Sequence, residues 1–333
     1  QKTAYEIRPR DWSSDVCSSD LLWAHYLSDL HLCKYFDLVD NYRMTQKKHL
    51  SFPNRSDSIR LAIGVMGIGT SGPLVALSTM PILTLIFWRN LGGALATYFL
   101  NFKKLEWRNR EGFKWSAIAG VVLAFHFMGF FLAMRFTSVA AGTALTALQP
   151  IFATIFAVAT GHHVSRTSWS GMLISFLGVL FISGVDLHFS WRAFQGDLAA
   201  IICAALAATY VNLGAKAQRS IPPTTYTTIC YLFCAITALP FALTQGNLLN
   251  FARREWLLVL ALILGAQMLG HSMFNSVLKR VSPAIVSMVV FFEVPISALL
   301  AIWWLGQRPH FGIWIGVITI LIGSAFVRSE EHT

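Results

Sequence analysis

Ten apolar runs, each near the 17–25 residues that carry a helix across a bilayer's hydrocarbon core, recur at roughly 60–79, 81–100, 115–134, 138–159, 168–185, 196–216, 225–244, 256–277, 283–305 and 311–327. The connections between them are short. Hydrocarbon holds no water to satisfy loose backbone groups, so each run has to close its hydrogen bonds within itself, as a helix does. A closed barrel would need alternating strands instead, and the runs do not alternate. Composition agrees: 55% of residues are hydrophobic and 13% charged, where a soluble domain carries about a quarter charged. The predicted fold is an all-α polytopic membrane protein of ten transmembrane helices.

The 26 Lys and Arg against 16 Asp and Glu give a net charge of +10. These basic residues lie between the apolar runs and form no single patch, which excludes a nucleic-acid footprint. With the N-terminus inside, fourteen Lys and Arg fall on inner segments and five on outer loops (Arg135, Arg192, Arg253, Arg254 and Arg308). The bias places both termini in the cytoplasm and gives the inner face some affinity for anionic lipid. Five cysteines without a C-x-x-C pair form neither a disulfide framework nor a zinc site, and nothing in the sequence calls for a cofactor.

The two ends read differently. Residues 1–21, QKTAYEIRPRDWSSDVCSSDL, have no period and no apolar core of a signal peptide. They resemble a translated short-read sequencing adapter. Residues 328–333, RSEEHT, resemble the opposite adapter strand, AGATCGGAAGAGCACACG, in translation. Residues 1–43 are therefore expected to be an artefact or a non-native leader, with Met44 as the candidate start of a basic cytoplasmic leader over 44–59. Residues 328–333 are expected to be an artefact as well.

Set against itself at an offset of 145, the chain pairs Pro150 with Pro295, Gly161 with Gly306, Gly171 with Gly316 and Gly178 with Gly323. The same offset pairs His126 with His271, Met128 with Met273, Arg135 with Arg280 and Trp169 with Trp314. Rare residues matching at one fixed offset indicate a duplicated unit of five helices, 60–185 and 196–327. An odd number of spans per unit turns the second copy upside down, the plan of many secondary transporters that work by alternating access.

The sequence also resembles the drug/metabolite transporter superfamily, EamA type. The resemblance is carried by Pro81, Trp88 and Arg89 opening the second helix, TSVAAGTALTALQPIFA in the first repeat, and GDLAAIICAALAATY in the sixth helix. VSPAIVSMVVFFEVPISALLAIWWLGQ and IGVITILIG carry it in the second repeat. It departs from the family where His162 and Gln307 stand in place of an acid that usually follows the glycine closing the fourth and ninth helices. The resemblance implies a two-repeat carrier of small metabolites or amphiphiles, and leaves the cargo open.

Only one acid lies deep in a predicted span, Glu293, and only one Lys or Arg, Arg89. A charge at a helix centre costs about 2.5–3.5 kcal/mol on the insertion scale, so each needs a cavity or a partner. Glu293 is able to take a proton or answer a cationic substrate. Alternatively it is a fixed structural link to a backbone amide or to Arg89, which in turn has the option of snorkelling to the boundary. His126 and His271 occupy equivalent places in the two repeats and either line one cavity or bond neighbouring carbonyls as helix glue. Gln149, Tyr210, Gln267 and Asn275 are further candidates for substrate binding. Trp88, with Trp303 and Trp304, either stacks a flat substrate or anchors at the interface.

Other patterns carry less. Gly67-x-Gly69-x-x-Gly72 lies inside an apolar span with no strand before it, so it reads as packing rather than a nucleotide site. Gly171, Gly178, Gly316 and Gly323 recur at seven, which suggests packing within each repeat. His162 and His163 are adjacent and point apart, which disfavours a metal site.

The function expected is secondary transport of small metabolites or amphiphiles across the bacterial inner membrane, with export as the direction. The expected partners are a small-molecule substrate, the lipid bilayer and protons, for a monomer or weak homodimer. The rival is a membrane-embedded enzyme or sensor using Glu293 and the intramembrane histidines. A chain running only from Met44 to Val327 should insert and run as a monodisperse species like the full chain; failure of that shorter chain to reach the membrane would overturn the exclusion of the ends.

Overall fold

The computed structural model describes residues 53–101, 105, 106, 108–159, 164–183, 190–307, 315, 316 and 318–323, and no strand occurs among them. The first repeat comprises α1 (Arg55–Gly69), α2 (Ser71–Leu77), α3 (Ile82–Asn101), α4 (Arg110–Phe136), α5 (Val139–Thr146), α6 (Gln149–Ala159) and α7 (Arg166–Ser183). The second comprises α8 (Trp191–Ala217), α9 (Pro223–Thr244), α10 (Arg253–Ala261), a π-helical segment (Leu262–His271), α11 (Ser272–Val277), α12 (Pro283–Val289), a 3₁₀ turn (Val290–Phe292) and α13 (Glu293–Leu305).

Local sequence explains where several of these helices begin. Asn54 and Asn109 accept the backbone N–H of Asp57 and Gly112 (both 2.8 Å), capping α1 and α4. Ser190 accepts from Ala193 N at the start of α8 (3.0 Å). Ser282 caps α12, whose first residue is Pro283, where a missing donor does no harm. Gly306, at φ 64°, ends α13 with its N–H on Ile302 O.

Seven of the helical stretches among the described residues are long and apolar enough to cross a membrane: Arg55–Leu77, Arg110–Phe136, Val139–Phe156, Trp191–Ala217, Pro223–Thr244, Arg253–Val277 and Ile285–Leu305. The chain is thus an all-α, multi-pass membrane protein, but seven spans meet that criterion where the sequence predicts ten. α3 has 20 residues, with Arg89 and Asn90 interrupting its apolar run. α7 has 18 and opens on the polar stretch RTSWS. The tenth predicted span is described only at 315, 316 and 318–323, all helical. Residues 1–52 and 324–333, with the expectations for them, lie outside the described residues, as do His162 and His163.

Small residues set the closest helix approaches. A Cβ on Gly67 would lie 2.5 Å from Gly270 N and 2.7 Å from Leu269 C, so α1 crosses the π-helical segment backbone against backbone. The glycines of the G-x-G-x-x-G pattern therefore pack, as the sequence suggests. The glycines recurring at seven do not pack within their own repeats. A Cβ on Gly178 would lie 2.6 Å from Gly316 O, and one on Gly323 would lie 2.5 Å from Gly171 O. Between these contacts Ser175 Oγ donates to Ile320 O (3.4 Å), across an offset of 145. The contact joins α7 to the last described helical residues of the other repeat because only paired small residues let two backbones come so close.

Gly67→Ala is expected to lower stability by about 2 kcal/mol through overpacking against backbone that cannot move. Gly265→Ala, which would meet only Thr70 Oγ1 at 3.0 Å, should be milder. Thermal unfolding of the two purified variants checks the order, and equal midpoints would contradict it.

Candidate functional site

Residues from both repeats enclose one central cavity of about 30 Å³, the scale of one or two waters. Its polar lining is Ser71, His126, Thr146, Gln149, Tyr210, His271 and Glu293, and its apolar walls include Phe127, Phe130 and Phe274. Glu293 is 7% exposed and has no hydrogen-bond or ion-pair partner among the described residues. Its position follows from the local chain. Pro295 has no N–H to donate back into the helix, and the turn just before Glu293 tightens to 3₁₀ over Val290–Phe292.

Arg89 neither snorkels nor pairs with Glu293. It is fully buried, with Nε donating to Gln267 Oε1 (2.7 Å) and Nη1 to Ser71 Oγ (3.1 Å). The guanidinium sits 4.2 Å from the centroid of the Phe127 ring. Nη2 has no partner among the described residues. Gln267 completes the network by donating to Asn90 Oδ1 (2.9 Å). The network stands behind the cavity wall: Ser71 faces the cavity, whereas Arg89 and Gln267 do not line it.

The two histidines are brought together, with ring centroids 6.4 Å apart. His126 Nδ1 lies 3.1 Å from both the carbonyl oxygen and Sγ of Cys203. His271 Nδ1 lies 3.1 Å from the Tyr210 hydroxyl. Each imidazole thus contacts a neighbouring helix and lines the cavity: His126 meets a carbonyl, as the glue alternative expects, whereas His271 meets a hydroxyl. Gln149 also faces the cavity and donates to Ser287 Oγ (2.9 Å).

Three sequence candidates fall elsewhere. Gln267 belongs to the Arg89 network. Asn275 O accepts from Gln218 Nε2 (2.9 Å), away from the cavity. Trp88 donates to Leu248 O (2.8 Å) and packs on Trp256, with ring centroids 5.2 Å apart. Trp303 is 78% exposed, as an interface anchor would be. An apolar run does not reveal which of its polar residues turns toward the centre, and here helix rotation decided it.

The sequence reading missed two other acids, both buried: Asp57 and Glu255. Both sit in the first turn of a span, where an acid reads as a helix-end charge. Asp57 forms a bidentate pair with Arg280 (2.6–3.2 Å). Glu255 accepts from Ser78 Oγ (2.6 Å), Thr79 N (3.1 Å), Thr79 Oγ1 (3.0 Å) and Met80 N (3.2 Å). Arg135 donates to Ser78 O (3.1 Å) and to Met80 O. The span Arg55–Leu77 and the span Arg253–Val277 are therefore tied start to end at both extremities, with the cavity between. Asp57 also holds the Arg280 guanidinium above its usual pKa, chiefly by hydrogen bonding to it.

The EamA-like transporter family matches the chain twice, over residues 59–184 and 194–329. The chain belongs to the EamA-like transporter family. It is thus a membrane transporter with two EamA halves, handling a small-molecule substrate in a lipid bilayer, and not an enzyme. The rival reading of a membrane-embedded enzyme falls with that match. The transporter is 25% identical over 295 residues to the uncharacterized transporter YxxF of Bacillus subtilis, covering 85% of this chain and 93% of the relative. It is 26% identical over 220 residues to an uncharacterized transporter of Archaeoglobus fulgidus, covering 65% and 75%. It is 24% identical over 261 residues to the pseudopaline exporter CntI of Pseudomonas aeruginosa, covering 77% and 89%. A solved crystal structure of a protein shares the fold at TM-score 0.66 and 18% identity, covering 82% of this chain and 96% of that one.

Gln267→Leu should destabilise the transporter by about 2–4 kcal/mol, since it strands the buried Arg89 Nε and Asn90 Oδ1 at once. Gln149→Leu strands only Ser287 Oγ and should cost about 1 kcal/mol. Thermal unfolding in detergent reads both, and an equal loss would refute the network's special weight.

Proposed function

We propose that this transporter exports small metabolites or amphiphilic compounds across the bacterial inner membrane by alternating access, with Glu293 coupling transport to protons. The observation that carries the reading is Glu293 itself: a buried carboxyl without a partner among the described residues, facing a central cavity walled by both halves. A carboxyl with no fixed donor is free to exchange a proton or to meet a cationic group of the cargo. Ser71, His126, Gln149, Tyr210 and His271 supply donors and acceptors around it, and Phe127, Phe130 and Phe274 supply apolar contact.

Ten helices in two inverted repeats are part of the same proposal. The contacts of α7 support it: Gly178 meets Gly316 and Gly323 meets Gly171, with Ser175 and Ile320 between them. Equivalent residues that meet in reversed order belong to antiparallel helices, as a two-fold axis lying in the membrane plane requires. Both termini are then cytoplasmic, in line with the positive-inside count. The export direction is supported by the exporter among the relatives.

The cargo is sought by comparing metabolites released from expressing and empty cells. With that cargo, Glu293→Gln should abolish pH-driven accumulation in vesicles while downhill exchange persists, because the amide mimics the protonated acid in shape. Unchanged pH-driven accumulation by a well-expressed Glu293→Gln protein would overturn the coupling role.

A further inference from the structure

Arg135 and Arg280 occupy equivalent places at the ends of the third span of each repeat, yet they bond differently. Arg280 reaches across to the start of the first span and pairs with Asp57. Arg135 bonds the carbonyls of Ser78 and Met80, in the loop after that same span. Counted back from the end of each span, Asp57 answers to Asp197 in the second half, although the 145-residue offset itself sets Asp57 against Ile202. Asp57 precedes Leu77, the last residue of its span, by as many residues as Asp197 precedes Ala217, the last residue of α8. Asp197 Oδ1 is buried without a hydrogen-bond partner among the described residues.

Asp197 also lies beside the end of α4. A Cβ on its neighbour Gly196 would stand 2.9 Å from Phe136 Cβ and 3.2 Å from Thr137 N, adjoining Arg135. Arg192, another cation at this end, lies over the Phe136 ring, 4.8 Å from its centroid, and Arg254 donates to Leu77 O (3.3 Å).

We infer that Asp197 is the second partner of Arg135: in the opposite-facing conformation Arg135 leaves the Ser78 and Met80 carbonyls for Asp197 while Arg280 leaves Asp57. The inference rests on the inverted-repeat reading, in which the two halves exchange conformations during transport. One half then shows what the other half does next. The ion pair made by Arg280 in this structure is the one Arg135 makes in the other state, and the buried oxygen of Asp197 is the site kept for it. The equilibrium between the two states is set by which arginine holds its acid, so neutralising either acid biases it in the opposite sense from neutralising the other.

Amide hydrogen exchange of the full chain in lipid nanodiscs tests this at Thr79 and Met80, whose N–H groups Glu255 holds in the closed loop. Asp197→Asn removes the alternative partner and should slow exchange at these two amides by about fivefold or more. Asp57→Asn releases Arg280 and should speed it by a similar factor. Arg192→Gln should leave it unchanged. A shift of both aspartate variants in the same direction, no shift in either, or an Arg192→Gln protein that reproduces Asp197→Asn would each overturn the inference. The underlying topology is read separately, from cysteines placed singly at Thr79 and Ser220. Labelling from opposite faces upholds the inverted reading, and labelling from the same face removes it whatever the exchange shows.

Discussion

The burial of Arg89 is the constraint around which the centre of this transporter is arranged. A guanidinium at the depth of the hydrocarbon core has no water to bond, and it persists only where the protein supplies acceptors and a polarisable face. Gln267 and Ser71 supply the acceptors and Phe127 the face. Each comes from a different part of the bundle: Ser71 from α2, Phe127 from α4, and Gln267 from the π-helical segment. One buried cation thus fixes three elements relative to α3. The π-helical turn matters here, because a widened helix shifts Gln267 and His271 relative to a regular α register.

Against that cation, held at two of its three nitrogens, stands an acid with no hydrogen-bond donor among the described residues. Glu293 shares the same central region, and the Arg89 guanidinium there is held by Gln267 and Ser71. Evolution of a purely structural core would remove such a group or pair it, since an unpartnered buried polar atom costs about 1–3 kcal/mol. A carrier has reason to keep it, because the partner it lacks is one that comes and goes. The histidines differ in kind: His126 is held by Cys203 and His271 by Tyr210, so their rings are fixed walls with one nitrogen already engaged.

Away from the centre, acids and arginines act at the ends of the spans. Asp57 with Arg280, and Glu255 with the Ser78–Met80 loop that Arg135 also holds, close the two extremities of one antiparallel helix pair. Of these groups Arg280 is the exposed one, while Asp57, Glu255 and Ser78 are buried. Small residues supply the other half of the arrangement: Gly67 against Gly270, and Gly178 against Gly316, let backbones touch.

The sequence by itself determined the class of the fold, because the length of an apolar run and the absence of water in lipid leave a helix as the only solution. It also marked Glu293, Arg89 and the histidine pair, since a polar group in an apolar run is conspicuous without any structure. What it did not determine was rotation about each helix axis. Trp88, Gln267 and Asn275 looked equivalent to Gln149 and Tyr210 in the sequence, yet only the last two face the cavity. Nor did it separate packing within a repeat from packing between repeats for the glycines spaced at seven, because the same small-residue face serves either. Asp57 and Glu255 were invisible for a related reason: at the end of a span an acid is ordinary, and only the tertiary structure, by bringing Arg280 to one and the Ser78–Met80 loop to the other, made them buried partners.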